Sequence, residues 1–538
     1  MPPKPDRLAD LRQALALHQS GRLEEAAGLY RAFLARHPKD PNAGRALANL
    51  GAIHLVRGDL AEAGLHLKKA LRLNPGDPQT LTNQGVLLRE SGRPAEAAAV
   101  LRQALRHRPD GVETLANLGV ALTETGELEE AVSCLERVLS ARPDHLAAAF
   151  NLGVALERQD RLEEAVARYE AVLRLDPRHT GALVNLGRAL SDLGRGREAL
   201  QAWNAALALD PGNPDAHWNS ALALLTDGDF ARGWDAFEWR WAKVMRKERR
   251  SFAQPEWDGR PLDGRTLLIG AEQGLGDGIQ FLRFLPLAAR RGAGRILLEV
   301  PHPLLELFRA APLPPETEVI ARAPDYPGGA GLPPFDVFAP MMSLPRLLGT
   351  GAELFGGAVP YLRADLQRRR SWAERLSAEA GDARLLCGLV WAGRPAHGND
   401  RRRSMALERL RPLSSVPGVR LVSLQIGPAA EQARGWREER RIIDVSGELR
   451  SFTDTAALIM ELDLVVTVDT AVAHLAGALG KPVWVLLPFV PDWRWQWGRV
   501  DSPWYPTLRL IRQPAPGAWE PVVETAAAAL AQLAARQG

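Results

Sequence analysis

Residues 112–145 read VETLANLGVALTETGELEEAVSCLERVLSARPDH, and residues 146–179 repeat the same layout of small, apolar and proline residues. The shared positions recur every 34 residues through the first half of the chain. Three residue types recur at this spacing, one at each of three positions of the unit. They are the prolines Pro75, Pro109, Pro143, Pro177 and Pro211, the alanines Ala63, Ala97, Ala131, Ala165 and Ala199, and the glycines Gly51, Gly85, Gly119, Gly153 and Gly187. A spacing held in register over so many steps indicates stacked structural units, each too small to bury its apolar face alone.

This period, with its small residues and closing proline, is typical of tetratricopeptide repeats, in which each unit is a pair of short helices. Small residues allow the two helices to approach closely, and the proline ends the second helix. Residues 214–247 fit the frame poorly, and GWDAFEWRWAK at 233–243 reads as a helix that caps the last apolar face. We therefore expect an α-solenoid of tetratricopeptide repeats with a concave groove over residues 7–245.

Six asparagines occupy one position of the first helix in successive units, on the face expected to line the groove. They are Asn49, Asn83, Asn117, Asn151, Asn185 and Asn219. A side-chain amide both donates and accepts hydrogen bonds, so a row of them can hold the main chain of an extended peptide without reading its sequence. Asparagine is also common at this position of such repeats. The row is therefore compatible with peptide binding and with a purely structural role.

The pattern changes after a basic linker at 246–263, where short apolar runs begin to alternate with helical patterns. The runs are TLLIG, RILLEV, TEVIA and FDVFAP before a charged helix at 366–382, and LLCGLVWAG, VRLVSLQIG, RIIDVSG, LDLVVTVD and PVWVLLP after it. Such alternation predicts parallel sheets. We expect an α/β domain of two Rossmann-like lobes at 264–365 and 383–538, with ligands at the carboxyl ends of the strands.

The segment VVTVDTAVAHLAGALGKPVWVLLP at 465–488 predicts a strand that ends at Asp469 and a helix that begins near Thr470. Either side chain is a suitable cap for that helix. The free N–H groups and positive dipole end of its first turn favour an anion. His474 lies one turn further on, where it either faces the same anion or packs inside the lobe.

The motif DTAVAHLAGALGKP resembles the donor-binding signature of the heptosyltransferase-like (family 9) glycosyltransferases of GT-B fold. The resemblance implies that Asp469, Thr470 and His474 belong to the site for the diphosphate of a nucleotide sugar. Ala471 stands where the family usually carries glycine, so a methyl group lies near the expected phosphates.

The loop EQGLGDGIQF at 272–281 places an aspartate in a glycine-rich turn after the first strand of the other lobe. In the same family a Gly-Asp turn at this place carries the proposed catalytic base, and Gly276 and Asp277 match it. A carboxylate facing the phosphates across the cleft can accept a proton from an incoming hydroxyl. The turn does not complete a dinucleotide-binding fingerprint, because Ile279 stands where its third glycine is needed.

Three arginines, Arg401, Arg402 and Arg403, follow the first strand of the second lobe. A guanidinium at a strand's carboxyl end can bind a leaving diphosphate in a bidentate manner. We expect Arg402 or Arg403 to do so, although the register within the run is open and a solvated charge run is the alternative.

The loop at 493–504 contains Trp493, Trp495, Trp497 and Trp504. These rings fit a platform for a sugar or base and equally fit simple packing of an irregular loop. The cleft-forming segments contain no Asp-x-Asp motif and no paired histidines. We therefore expect no metal site and no cofactor, with the nucleotide sugar as co-substrate.

Bulk composition excludes several classes of protein. The net charge of +3 argues against a nucleic-acid partner. Two distant cysteines, Cys134 and Cys387, argue against a disulfide framework and suit a cytoplasmic protein. The most apolar region is interrupted by Asp469, His474 and Lys481, so no membrane span is expected.

The combination of repeats and a GT-B domain resembles the architecture of O-GlcNAc transferases and of bacterial flagellin glycosyltransferases. It implies an inverting, metal-independent protein O-glycosyltransferase in which the repeats hold a polypeptide acceptor and Asp277 deprotonates its hydroxyl. Two alternatives stay open. The sugar could go to a lipopolysaccharide or another glycan with the repeats recruiting partners, or the chain could be a repeat scaffold with an inactive transferase domain.

Overall fold

The computed structural model describes residues 8–322, 331–349 and 359–536. The expected domain limits at residues 7 and 538 lie outside the described residues. The chain divides into two compact units, Met1–Pro211 and Gly212–Gly538.

Within its described residues, the first unit is built of helices arranged in consecutive antiparallel pairs, as the 34-residue period predicts. The helices are α1 Ala9–Gln19, α2 Leu23–Arg36, α3 Ala43–Val56, α4 Leu60–Leu73, α5 Pro78–Glu90, α6 Pro94–His107, α7 Val112–Thr125, α8 Leu128–Ala141, α9 Leu146–Arg158, α10 Leu162–Leu175, α11 Thr180–Asp192 and α12 Gly196–Leu209. Each helix packs against its partner and against the next pair. The predicted helical solenoid is confirmed for this unit.

The glycines of the first helices lie where a side chain of the second helix presses against the backbone. A Cβ atom added at Gly119 would lie 2.6 Å from Leu135 Cγ, and one added at Gly187 would lie 2.3 Å from Trp203 Nε1. Gly51, Gly85 and Gly153 show the same close approach. These positions require glycine because no side chain fits between the paired helices.

A second set of glycines makes the tight turns inside the pairs. Gly58, Gly92, Gly126, Gly194 and Gly228 all have positive φ, as does Asp160 in the one slot of the series without glycine. Glycine adopts this left-handed conformation without a steric cost, whereas an L side chain does not. The turn geometry thus explains the second recurring glycine position of the sequence.

The second unit opens with the last helix pair, α13 Pro214–Asp227 and α14 Phe230–Phe237. This pair continues the repeat pattern, yet it belongs to the same compact unit as the α/β part. Trp234 packs edge-on against Trp493 with ring centroids 5.3 Å apart. Arg240 is fully buried, and its guanidinium donates to both carboxylate oxygens of Glu272 at 2.9 and 3.1 Å. The capping segment is therefore part of the core of the α/β unit.

Among the described residues of this unit, two parallel sheets form the α/β core. The strands are β1 Thr266–Gly270, β2 Arg295–Val300, β3 Thr317–Ala321 and β4 Val337–Pro340 in the first sheet, and β5 Leu385–Val390, β6 Val419–Ser423, β7 Ile442–Asp444, β8 Leu464–Val468, β9 Val483–Leu487 and β10 Leu508–Arg512 in the second. The strand orders are β3-β2-β1-β4 and β10-β9-β8-β5-β6-β7. All of the pairings are parallel.

Helices connect and cover these strands. They are α15 Leu275–Phe281, α16 Leu285–Ala289, α17 His302–Arg309, α18 Leu344–Leu348, α19 Leu366–Ala380, α20 Asp400–Arg403, α21 Arg411–Ser414, α22 Ala433–Glu438, α23 Phe452–Met460, α24 Ala471–Ala478 and α25 Trp519–Arg536. The charged connecting helix is α19, within the predicted range. Within the described ranges, no helix combines the length and the apolarity that crossing a bilayer requires.

Nine of the strands were predicted, and β10 was not. Its sequence, LRLIR, alternates apolar and charged residues and resembles a solvent-facing segment. Among the described strands it pairs with β9, at the edge of the second sheet, and Asp501 forms an isolated bridge to it at Arg509. An edge strand keeps one polar side, so its hydrophobic signal is weaker than that of a central strand.

Candidate functional site

The predicted base, Asp277, lies in the first turn of α15, directly after the loop that follows β1. Its Oδ2 atom accepts a hydrogen bond from the backbone N–H of Gly274 at 2.7 Å. Its side chain is 16% exposed. The glycine-rich turn therefore fixes the carboxylate by its own backbone and leaves part of it accessible.

The predicted donor motif occupies the equivalent place in the second sheet. β8 ends at Val468, Asp469 and Thr470 follow, and α24 begins at Ala471. Thr470 stands at the cap position, but its side chain makes no capping bond, and its hydroxyl pairs with that of Thr467 at 3.0 Å. The expectation that Thr470 caps this helix through its side chain is wrong. The first turn of α24 is thereby left without that cap, which suits an anion site.

Helices α15 and α24 pack against each other, so the two motifs are neighbours. A Cβ atom added at Gly276 would lie 3.0 Å from His474 Cδ2 and 3.3 Å from Ala471 Cα. Gly276 thus allows the close approach of the two loops. Its contacts are with the protein chain, and they explain this glycine by packing.

His474 lies inside the lobe. It is 4% exposed, its Nδ1 atom is 3.0 Å from the hydroxyl of Tyr505, and its ring stacks on Trp495 with centroids 5.3 Å apart. Burial, followed by the charges of Arg494 and Arg283, lowers the pKa of His474 well below its usual value. At neutral pH the ring is uncharged, and the structure favours the packing role over direct contact with an anion.

Arg494, which the sequence analysis did not single out, links the loop after β9 to the Asp277 turn. It lies in the turn Trp493–Trp495 that follows β9, and its Nη2 atom donates to Asp277 Oδ1. Its Nε and Nη1 atoms donate to Gln280 Oε1 at 2.7 Å and to Asp492 Oδ1 at 2.8 Å. The guanidinium is 9% exposed and stacks over the ring of Trp493 at 4.2 Å.

Asp469 lies within the electrostatic reach of this cluster. Burial, followed by the charge of Asp492, raises the pKa of Asp469 to about 6, while Arg403 and Arg494 act in the opposite direction. A carboxyl group with such a pKa gains and loses its proton near neutral pH. The second motif therefore contains a carboxyl group whose charge depends on conditions that an enzyme meets.

The arginine run forms the short helix α20 at the carboxyl end of β5. Arg403 is 14% exposed, pairs with Asp400 at 3.4 Å and acts on Asp469. His397 lies on the same side, because the charges of Arg403, Asp492 and Asp277 all act on its pKa, which burial lowers. The charge of Arg403 thus reaches the second motif. Arg401 is exposed and Arg402 half-buried.

The tryptophans of the 493–504 loop are mainly core residues. Trp493, Trp495 and Trp504 are buried, with 4%, 0% and 1% of their surface exposed. Trp497 is half-buried. Of the two expectations for this loop, packing explains three of the four rings.

The six asparagines are all half-exposed on the first helices of their pairs. Several already use their amide N–H groups within the protein. Asn117 and Asn151 donate to the carbonyl oxygens of Glu113 and Ala147 at 2.8 Å, and Asn49 donates to the Tyr30 hydroxyl at 2.9 Å. Each of these three amides keeps one N–H group and its carbonyl oxygen for a partner.

Comparison with known proteins agrees with this division of the chain. Tetratricopeptide-repeat profiles match residues 11–78, 88–156 and 156–225. The profile of glycosyltransferase family 9 (heptosyltransferase) matches residues 421–487, which include Asp469, Thr470, Ala471 and His474. Asp277, Arg403 and Arg494 lie outside the matched segment.

Individual relatives match only part of this chain. The chain is 30% identical over 335 residues to Protein FlbA of Caulobacter vibrioides, and the match covers 59% of this chain and 54% of FlbA. The chain thus spans about half the length of that curated relative. Among solved structures, PilF of Pseudomonas aeruginosa (21% identity, TM-score 0.34) covers 38% of this chain and 92% of its own. YrrB, described as a TPR protein with an unusual peptide-binding site (26% identity, TM-score 0.28), covers 33% and 90%.

The repeat profiles match between residues 11 and 225, and the family 9 profile matches within the second unit. The chain thus combines tetratricopeptide repeats with a segment similar to glycosyltransferase family 9 (heptosyltransferase).

Proposed function

We propose that the chain is an inverting glycosyltransferase of GT-B type that moves a sugar from a nucleoside-diphosphate donor to a hydroxyl group of a polypeptide. The observation that carries this proposal is the apposition of Asp277 and the Asp469–Ala471 turn, each at the carboxyl end of a parallel strand in its own sheet. In open α/β sheets such ends are where ligands bind.

The acceptor side of the reaction rests on Asp277. The acceptor oxygen attacks the anomeric carbon, the bond from that carbon to the diphosphate breaks, and the nucleoside diphosphate leaves with the bonding electrons. The hydroxyl proton passes to the Asp277 carboxylate. Gly274 and Arg494 hold both carboxylate oxygens by one hydrogen bond each, which leaves lone pairs to accept that proton and fixes their direction.

The donor side rests on the start of α24 and on Arg403. The helix start presents backbone N–H groups without a Thr470 side-chain cap. Arg403 adds positive charge on the same side. Together they oppose the charge that develops on the departing diphosphate, so the step needs no metal ion. Arg494 already has three protein partners, and its role is to orient Asp277.

The repeats support a polypeptide acceptor, since arrays of this kind present extended concave surfaces to partners. The carbonyl oxygens of the asparagine row can accept hydrogen bonds from peptide N–H groups, each contributing about 0.5–1.5 kcal/mol. Such weak binding suits a substrate that must be released after transfer.

The test of the chemistry is release of nucleoside diphosphate from a panel of nucleotide sugars. Asp277→Asn keeps the shape of the side chain and removes the base, so we expect a rate loss of about 10²–10⁴-fold. Circular dichroism at the assay temperature checks that the variant is folded. Asp258→Asn, at an exposed position of the same unit, serves as the matched control. Equal rates for the two variants would remove Asp277 from the mechanism.

The test of the acceptor is capture by the full-length chain, followed by mass spectrometry of captured proteins for added sugar mass. Replacing Asn117 and Asn151 by alanine should reduce transfer to protein while nucleotide-sugar hydrolysis is preserved. Transfer to a glycan with no change in the asparagine variants would favour the lipopolysaccharide alternative. Absence of turnover with every donor would favour the inactive scaffold.

A further inference from the structure

A cluster of metal-ligand side chains lies in the repeat unit, outside the site described above. His54 ends the last turn of α3, and Glu62 and His66 lie one turn apart on α4. One ligand atom from each of the three residues lies within 4.8 Å of the others. The two imidazoles stack nearly parallel, with centroids 5.4 Å apart and planes inclined by 17°.

The two rings differ in their other contacts, and His54 has the second partner that metal-binding histidines usually have. His54 Nδ1 lies 3.4 Å from Asp59 Oδ2, a contact that fixes the ring and leaves Nε2 as the ligand atom. His66 Nε2 lies 3.7 Å from a Glu62 oxygen, beyond hydrogen-bonding distance. The other nitrogen of that ring, Nδ1, is buried and has no hydrogen-bond partner. Neither nitrogen of the His66 ring therefore has a hydrogen bond within the protein that would explain an imidazole at this position.

The donor atoms decide the class of metal. A hard cation such as Ca²⁺ or Mg²⁺ needs an excess of carboxylate oxygens, and this cluster does not have one. Two imidazoles with one carboxylate suit Zn²⁺, Ni²⁺ or Cu²⁺.

We propose that His54, Glu62 and His66 form a binding site for a divalent transition-metal ion, represented here by Zn²⁺, with water in the fourth position. Ligands around Zn²⁺ stand roughly 3.3 Å apart, since each lies about 2.0–2.1 Å from the ion. The separations between the ligand atoms must therefore shorten by up to about 1.5 Å. The Glu62 side chain is 57% exposed and free to make most of this movement.

An ion at this place joins the two helices of one repeat. It ties the C-terminal end of α3 to α4 across the turn at Gly58, which has positive φ. Because the ion binds the folded pair and not the separated helices, it stabilises that repeat. This inference is independent of the transferase chemistry in the other unit.

The experiment uses the untagged full-length chain and titrates it with Zn²⁺ by calorimetry, with Co²⁺ as a spectroscopic substitute. We expect one ion per chain, a rise in melting temperature with Zn²⁺ and visible absorption with Co²⁺. Glu62→Gln and His66→Ala should weaken binding by about tenfold or more and abolish the rise. His107→Ala removes an exposed imidazole at the end of α6 and should change neither.

Glu62→Gln makes the result decisive, because an exposed and isosteric change leaves the fold intact. Binding that is equally tight in the wild type, Glu62→Gln and His66→Ala would assign the ion to scattered surface histidines and overturn the proposal. Failure of the wild type to bind Zn²⁺ or Co²⁺ would overturn it as well.

Discussion

Arg494 donates a hydrogen bond to the carboxylate of Asp277, a residue 217 positions earlier in the chain, and so joins the loop after β9 to helix α15. Its other two donor positions hold Gln280 and Asp492. A planar guanidinium presents its donors to these three acceptors in a fixed fork, whereas the three donors of an ammonium group radiate from a single nitrogen. The position of the proposed base, Asp277, therefore depends on Arg494, which lies in the turn after a strand of the second sheet.

Replacing Arg494 by lysine keeps the positive charge and removes the planar set of N–H donors. We expect kcat for nucleoside-diphosphate release to fall about 10- to 100-fold, because Asp277 loses its orientation. KM for the donor should change less, since the diphosphate is held by other groups. Steady-state kinetics measure both values, and Arg499→Lys, at a half-buried arginine paired with Asp501, is the control. A change confined to KM would mean that Arg494 binds the donor itself.

Asp469 should make donor binding depend on pH. Its carboxyl group is neutral below about pH 6 and charged above, because burial and Asp492 raise its pKa to about 6. A charged carboxylate repels phosphate, so affinity for a nucleoside diphosphate should fall as pH rises through this value. The ratio of wild-type to Asp469→Asn affinity isolates the effect from the titration of the nucleotide. A ratio that stays constant from pH 5 to 7 would contradict it.

The raised pKa of Asp469 also makes the stability of the folded protein depend on pH. The pKa of Asp469 in the folded protein lies above the ordinary value of 3.8, so the folded state binds more protons between about pH 4 and pH 6. The stabilisation of the folded state by this protonation is complete below about pH 4 and is lost as the pH rises to about 6. The melting temperature of the wild type relative to Asp469→Asn should decrease over this interval and level off above it.

The last helix pair should be indispensable to the α/β unit. Trp234 and Arg240 are buried, and both contact residues of the α/β part, Trp493 and Glu272 respectively. A fragment of residues 212–538 should fold and release nucleoside diphosphate, whereas a fragment of 248–538 leaves Glu272 without its cation and exposes Trp493. Removing one partner of a buried ion pair costs about 3–5 kcal/mol. Circular dichroism and gel filtration of the two fragments make the comparison.

A point mutation tests the same packing inside the full chain. Trp234→Ala should cost about 3–5 kcal/mol of unfolding free energy in the second unit. It should also lower activity, because Trp493 stands beside Arg494. Trp497→Ala, at a half-buried ring, should cost less. Equal losses in the two variants would show that Trp234 has no special role at this junction.

Local patterns in the sequence predicted the repeats and nine strands, because each depends on a short period of apolar or small residues. The sequence also predicted that each motif follows a strand, and the structure has Asp277 after β1 and Asp469 after β8. Arg494 escaped prediction because its partner Asp277 is distant in sequence and its neighbours are tryptophans. The sequence left open whether His474 is buried, since Tyr505 and Trp495, which enclose it, come from a later loop.

Glycine to alanine changes in the repeats should separate three physical effects. At Gly126, φ is 91° and nothing lies within 4 Å of an added Cβ, so alanine should destabilise by about 1 kcal/mol through backbone strain alone. At Gly28, inside α2, space is equally open and φ is helical, so alanine should stabilise by about 0.5–1 kcal/mol. At Gly187 the added Cβ meets Trp203, and the loss should be the largest of the three. Thermal unfolding of the three variants gives the order, and a Gly126 variant as stable as the Gly28 variant would contradict the assignment of the turn glycines to positive φ.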